Sequence, residues 1–365
     1  MTKNRNLTRR DVIQAAAVLG AAASIPGIAV ASEGSSSPSA YDDMLVIDAL
    51  CFGRNWDDEA FAALRAANYS GIVESLPRRD LQTAIDALVE WQQRAEAHSD
   101  AVLIAREAAD FRRAQQSGRT AVLMNFQDTT MFEGELANVD ALYALGMRSC
   151  QLTYNARNLV GDGCLERTNA GLSDFGVALV DRLNEVGVMI DLSHCGPQTT
   201  LEGIEFSKGP VAITHTMCDA VRPGHPRAKS DELIRRCAEK GGVIGMIALG
   251  YFVGPDPGGE TGIEDYADHI EHAVNVAGIE SVGISTDFPP QGISPWATYD
   301  EWYVPRTRSF KPSYELRWPP WIPELDGPDR YRKLMTVLEG RGWKSRDIER
   351  LYGLNWMRLF GDIIG

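Results

Sequence analysis

Eight short apolar runs recur along the chain, most of them separated by longer amphipathic stretches. They fall at 44–47, 71–73, 120–124 and 149–153, then at 188–190, 211–214, 243–247 and 281–285. Helical patterns fill the intervals, as at 81–95, 174–186 and 230–240. Strands that are apolar almost throughout suit a parallel sheet covered on both faces. Eight such units favour an α/β fold closed as a (β/α)8 TIM-type barrel over an open doubly wound sheet. In that fold the chemistry gathers at the C-terminal ends of the strands.

Composition removes other classes. The 365 residues are 44% hydrophobic and 24% charged, which supplies a full core and excludes a disordered chain or a disulfide-dense miniprotein. With 36 basic against 50 acidic residues the net charge is −14, which argues against a nucleic-acid partner. No glycine-rich phosphate loop supports nucleotide binding.

Residues 1–31 read as an export signal. Lys3, Arg5, Arg9 and Arg10 supply the positive region, and Thr8-Arg9-Arg10-Asp11-Val12-Ile13 has a twin-arginine pattern. An Ala-rich stretch at 15–23 and Ala29-Val30-Ala31, an A-x-A cleavage site, complete it. The apolar part is too short to span a bilayer, and no later stretch is apolar enough. The expectation is twin-arginine export to the periplasm or cell exterior, a linker over 32–43, and a single barrel domain over 44–365.

At the expected strand ends stand Asp48, Gln127-Asp128, Tyr154-Asn155, His194, His215 and Asp287. Two His on neighbouring strand ends can converge on one metal ion, because neutral imidazole is a good zinc ligand. A carboxylate across the mouth can move a proton. The six cysteines include no C-x-x-C, which speaks against a zinc ribbon or a thioredoxin-like site.

Several segments occur in a specific order: Leu152-Thr153-Tyr154-Asn155, Gly171-Leu172-Ser173-Asp174-Phe175-Gly176, Ile190-Asp191-Leu192-Ser193-His194, and Thr214-His215-Thr216. His225-Pro226-Arg227, Gly241-Gly242-Val243, Gly283-Ile284-Ser285-Thr286-Asp287-Phe288 and Asn355-Trp356-Met357-Arg358-Leu359-Phe360 follow. In these segments the chain resembles the membrane (renal) dipeptidase family, zinc peptidases on a (β/α)8 barrel. That family binds two zinc ions bridged by a Glu. The resemblance implies His194 and His215 as ligands of one ion, Asp287 as the proton-transfer group, Arg227 as the anchor for a substrate carboxylate, and Tyr154 with Asn155 as substrate contacts. It also shows departures. The family's H-x-D pair falls at Leu50 and Phe52, and its bridging Glu at Gln127. The expectation is therefore one loosely held zinc ion on His194 and His215, with Gln127 as a weak third ligand.

Other residues read as supporting structure. His269 and His272 lie at i and i+3 on a helix, a spacing that suits a packed or solvated face better than a metal. His225 reads as a loop residue that places Arg227, and Cys51 as core. Cys195 and Cys218, close to the two site histidines, are replacement thiolates only as a minor alternative. Trp296, Trp302, Trp318 and Trp321 crowd a Pro-rich loop at about 290–325 together with Arg306, Arg308 and Arg317. Such a loop suits a lid over an aromatic or apolar ligand with an anionic group, and equally a homodimer interface.

The leading expectation is hydrolysis of a dipeptide or related small amide. The alternatives are a metal-independent lyase or isomerase using Tyr154, Asp287 and Asp48, and a non-catalytic small-molecule binding protein.

Overall fold

The eight apolar runs form eight parallel strands, because each buries side chains on both faces. A computed structural model describes residues 40–53, 55–255 and 259–365. The expected export signal lies outside the described residues, as does most of the expected linker. The linker's last residues, Ala40–Asp43, instead form a helical turn whose Tyr41 is buried and donates its hydroxyl to Ala67 O at 2.9 Å.

The strands are β1 (Ile47–Asp48), β2 (Gly71–Ser75), β3 (Val102–Ile104), β4 (Thr120–Phe126), β5 (Met147–Gln151), β6 (Met189–Asp191), β7 (Ala212–Cys218), β8 (Ala228–Lys229), β9 (Val243–Met246) and β10 (Val282–Ile284). The order around the sheet is β1-β2-β4-β5-β6-β7-β9-β10. The short β3 and β8 lie off that path, against β4 and β7; neither is among the eight expected runs, although β3 is itself the apolar Val102-Leu103-Ile104. The two ends of the sheet meet. Ala49 N donates to Ile284 O at 3.3 Å, and Asp287 N to Leu50 O at 2.8 Å. The Asp48 carboxylate takes the Thr286 N–H and hydroxyl at 2.9 and 2.7 Å. The result is a (β/α)8 barrel, and Asp48 is one of its closing clasps.

Helices start where short polar side chains cap them. Asp80 accepts from Thr83 N before Leu81–Ala97, and Ser173 accepts from Gly176 N before Asp174–Val186. Ser230 does the same for Asp231–Glu239. Their apolar faces cover Ile72, Val122, Ile190, Ile213 and Ile244 on one side of the strands. Ile47, Val73, Leu123, Met189, Ala212 and Val243 form a second cluster with Trp356, Leu359 and Phe360 of the last helix, Asn355–Ile364. That helix packs so close that a Cβ at Gly283 would run into the Trp356 indole. With one end of the barrel held by apolar packing, the polar residues collect at the other.

Candidate active site

The imidazole of His194 follows β6, and that of His215 lies within β7. Both are buried, at 2% and 0% exposure, and their Nε2 atoms face each other at 2.9 Å. Each ring is held from behind. His194 Nδ1 lies 2.7 Å from Asn155 Oδ1, which can only accept, so Nδ1 carries the hydrogen. His215 Nδ1 lies 2.7 Å from Thr214 Oγ1, whose hydroxyl is already given to Asp191 Oδ2 at 2.7 Å. The Thr oxygen therefore accepts from His215. Both Nε2 atoms are left with lone pairs pointing at one another, an arrangement that calls for a cation between them. A proton is disfavoured, because burial, and then the Arg227 charge, hold both imidazoles well below their usual pKa.

Above the pair lies a cavity of about 230 Å³. Ser75, Gln127, Tyr154, His194 and Asp287 form its polar wall, and Arg306 its cationic corner. Phe52, Phe252, Trp296, Trp302, Phe310 and Tyr314 are among the rings that line the rest. The loop after β10 thus closes over the mouth as a lid. Tyr154 stacks on His194 with ring centroids 4.2 Å apart, and Arg78 lies over the Tyr154 ring at 4.4 Å. Burial raises the Asp287 carboxyl to about 7 against the pull of Arg227. Asn155 and Asp287 both have left-handed backbones, at φ 60° and 63°. Asn and Asp tolerate that region better than other side chains, and such strain concentrates at functional sites.

Two expected roles shift. Asn155 was expected to touch substrate, yet its side-chain oxygen is committed to His194. Arg227 was expected to anchor a substrate carboxylate, yet it is fully buried and absent from the cavity wall. Its Nη1 and Nη2 donate to the carbonyls of Ser193 and His215, at 2.5 and 2.9 Å. It is a strut between the two strands that carry the histidines. His225 Nδ1 accepts from Arg227 N at 3.1 Å, in keeping with the placing role read from sequence. Arg306, which the sequence left among the lid residues, is the guanidinium on the cavity wall; Trp302 holds it through its carbonyl and its ring.

The remaining readings resolve as structure. His269 accepts from Cys218 N and lies 3.1 Å from Val253 O, while His272 pairs with Asp231. Burial raises the Cys195 and Cys218 thiols to about 11 and 12, so neither offers a thiolate. All six cysteines are free.

The membrane dipeptidase profile, peptidase family M19, matches residues 61–301. The chain belongs to the membrane dipeptidase family. An amidohydrolase from Pseudomonas aeruginosa is 30% identical, with a TM-score of 0.80 over 89% of this chain and 98% of its own. Dipeptidase verJ of Clonostachys rogersoniana is 28% identical over 73% of this chain. The match reaches only 62% of that dipeptidase's length. A metallo peptidase from Rhodobacter sphaeroides, solved with a phosphinate mimic of L-Ala-D-Ala, shares the fold at a TM-score of 0.71 and 18% identity, over 88% of this chain and 99% of its own.

A metal ion is the cofactor that membership in a metallopeptidase family implies. The residues present do not fit a bridged pair of ions. Leu50 and Phe52 offer no donor, Gln127 has an amide in place of a carboxylate, and no cluster of three His, Cys, Asp or Glu exists among the described residues. They do fit a single ion. Two convergent lone pairs are ready, and Gln127 Oε1 is buried without a partner while its Nε2 is held by Ser75 Oγ at 2.8 Å.

Proposed function

We propose that the protein hydrolyses a dipeptide or a related small amide, using one zinc ion on His194 and His215 with Gln127 Oε1 as a third donor. The convergence of the two Nε2 atoms beneath a cavity that holds Asp287 carries this reading. The relatives' names, dipeptidase and amidohydrolase, support it. Zinc bound there supplies a polarised carbonyl and a more acidic water.

The protein's own side chains do the rest. Asp287, with a pKa of about 7, takes a proton from the attacking water and returns it to the leaving nitrogen. Arg306 holds the substrate carboxylate, and Tyr154 lies beside the scissile group. The aromatic lid excludes water and strengthens these charge interactions. Asn155, Thr214, Asp191 and Arg227 keep the imidazoles in position. The proposal includes export by the twin-arginine route, on the pattern at Arg9-Arg10.

The test is metal analysis with a dipeptide and acyl-amide panel. One zinc per chain, with turnover abolished by chelation and by His194→Ala, supports the reading. Turnover that survives both refutes it.

A further inference from the structure

The cavity wall is poor in negative charge, although the protein as a whole is acidic, with a net charge of −14. Among the described residues, Asp287 is the only carboxyl that lines it. Asp48 and Asp191 act on Asp287 from inside the barrel, where each is hydrogen-bonded to its own neighbours, and the other charges that act on it are positive. Arg306 lines the cavity, while Arg227 and Arg78 act on Tyr154 and His194 from behind. Where the family resemblance places two carboxylate ligands, this wall presents the Gln127 amide and the Phe52 ring.

A dipeptide enters such a site as a zwitterion. Its carboxylate finds Arg306. Its ammonium finds aromatic rings, the Gln127 amide, the Arg306 guanidinium and one carboxyl that proton transfer already occupies. An ammonium buried without a counter-charge is strongly disfavoured. The adjoining cavity of about 520 Å³, which shares Gly53 and Ser75 with the first, is lined by Asp57, Glu74 and Glu90 beside Arg78 and Arg94; Asp57 accepts from Ala60 N as a helix cap and Glu90 pairs with Arg94. Glu74 accepts from Trp56 Nε1 at 2.8 Å, and burial holds its carboxyl well above the usual range, so it offers little negative charge.

From this distribution of charge we infer that the preferred substrate is an N-acyl amino acid: an amide with a free carboxylate on the amine side and no ammonium on the acyl side. This rests on the hydrolytic reading above and narrows it. The reaction balances as simple hydrolysis. Water adds to the acyl carbon and the C–N bond breaks. A carboxylic acid leaves, and the nitrogen takes the proton to give the free amino acid. The acyl group would lie against Phe52 and Tyr154.

The decisive comparison is alanyl-phenylalanine against propionyl-phenylalanine, which differ only by the amino group, each with L- and D-phenylalanine. The expected result is a kcat/KM at least about tenfold higher for the propionyl compound. Equal rates, or faster cleavage of alanyl-phenylalanine, overturn the inference. If neither is cleaved, the hydrolytic reading fails, and calorimetric binding decides the inference alone: tighter propionyl-phenylalanine upholds it, and equal or weaker binding overturns it. Gln127→Glu and Phe52→Asp, made separately, each put a carboxylate on the wall. Each is expected to move the ratio toward the dipeptide by about tenfold, and an unmoved ratio in both folded variants also overturns it.

Discussion

His194 and His215 meet through like atoms, Nε2 to Nε2 at 2.9 Å, with both Nδ1 hydrogens already committed elsewhere. Two lone pairs held in contact are unfavourable unless a cation joins them. The protein maintains this arrangement from two directions. Asn155 reaches from the loop after β5, and the Asp191–Thr214 pair spans β6 and β7. Arg227 then ties the carbonyls of Ser193 and His215 to one guanidinium. On the proposed reading this is a prepared ligand pair, with its supporting partners in place.

Zinc titration of the metal-stripped protein is expected to reach one ion per chain. His194→Ala and His215→Ala should each weaken binding by about 100-fold or more and abolish hydrolysis. Binding of a second ion per chain would contradict the reading of Leu50 and Phe52 as lost ligands and of the Gln127 amide as unable to bridge two ions.

Thr214→Val keeps the side-chain shape and removes the hydroxyl between Asp191 and His215. The Asp191 oxygen loses a donor at 2.7 Å, and His215 Nδ1 loses its acceptor. The ring is then free to take the other tautomer. Zinc affinity should fall roughly 10–100-fold while the ligands remain, and stability should drop by about 1–3 kcal/mol. Competition with a chelator measures the first and denaturant unfolding the second. Unchanged affinity would show that the hydroxyl does not set the tautomer.

The barrel was legible in the sequence because parallel strands buried on both faces must be apolar throughout, and eight such runs leave little other choice. Strand ends follow from that, so His194, His215 and Asp287 could be placed at one mouth without a structure. The lid gave no such purchase. Its Pro-rich sequence has no period, and nothing in it tells which of Arg306, Arg308 and Arg317 faces inward. Arg227 misled for a related reason. A guanidinium beside the site in sequence reads as a substrate anchor, whereas its burial depends on two carbonyls contributed by β7 and the turn after β6. The role of Asn155 was hidden in a left-handed backbone that sequence does not display.

Asp287 gives a pH prediction with a definite sign. Its folded pKa of about 7 lies above the unfolded value of about 3.8, so the folded state favours the protonated form. Its contribution to stability is full below about pH 4 and is lost as pH rises through 7. Asp287→Asn removes that loss, so the variant should gain stability over the parent as pH climbs from 4 to 7, and hold the gain above. The same substitution should cut kcat by about 100-fold or more, and the parent's kcat/KM should rise with pH through about 7. A variant less stable than the parent at pH 8 would show that ionised Asp287 is better compensated than its surroundings indicate.

Arg306 and Arg227 separate binding from support. Arg306 lines the cavity, partly buried over the Trp302 ring, so Arg306→Met should raise KM by about tenfold or more and leave the fold intact. Arg227 touches no part of the cavity wall. Arg227→Met would leave the Ser193 and His215 carbonyls without donors, each at a cost of roughly 1–3 kcal/mol. Its expected signature is a lower Tm with weaker zinc binding, and a KM that changes little in zinc-saturated protein. If the two signatures were exchanged, with Arg227 governing KM and Arg306 governing stability, then substrate would have to reach beneath His194, and the cavity described here would be its entrance rather than its seat.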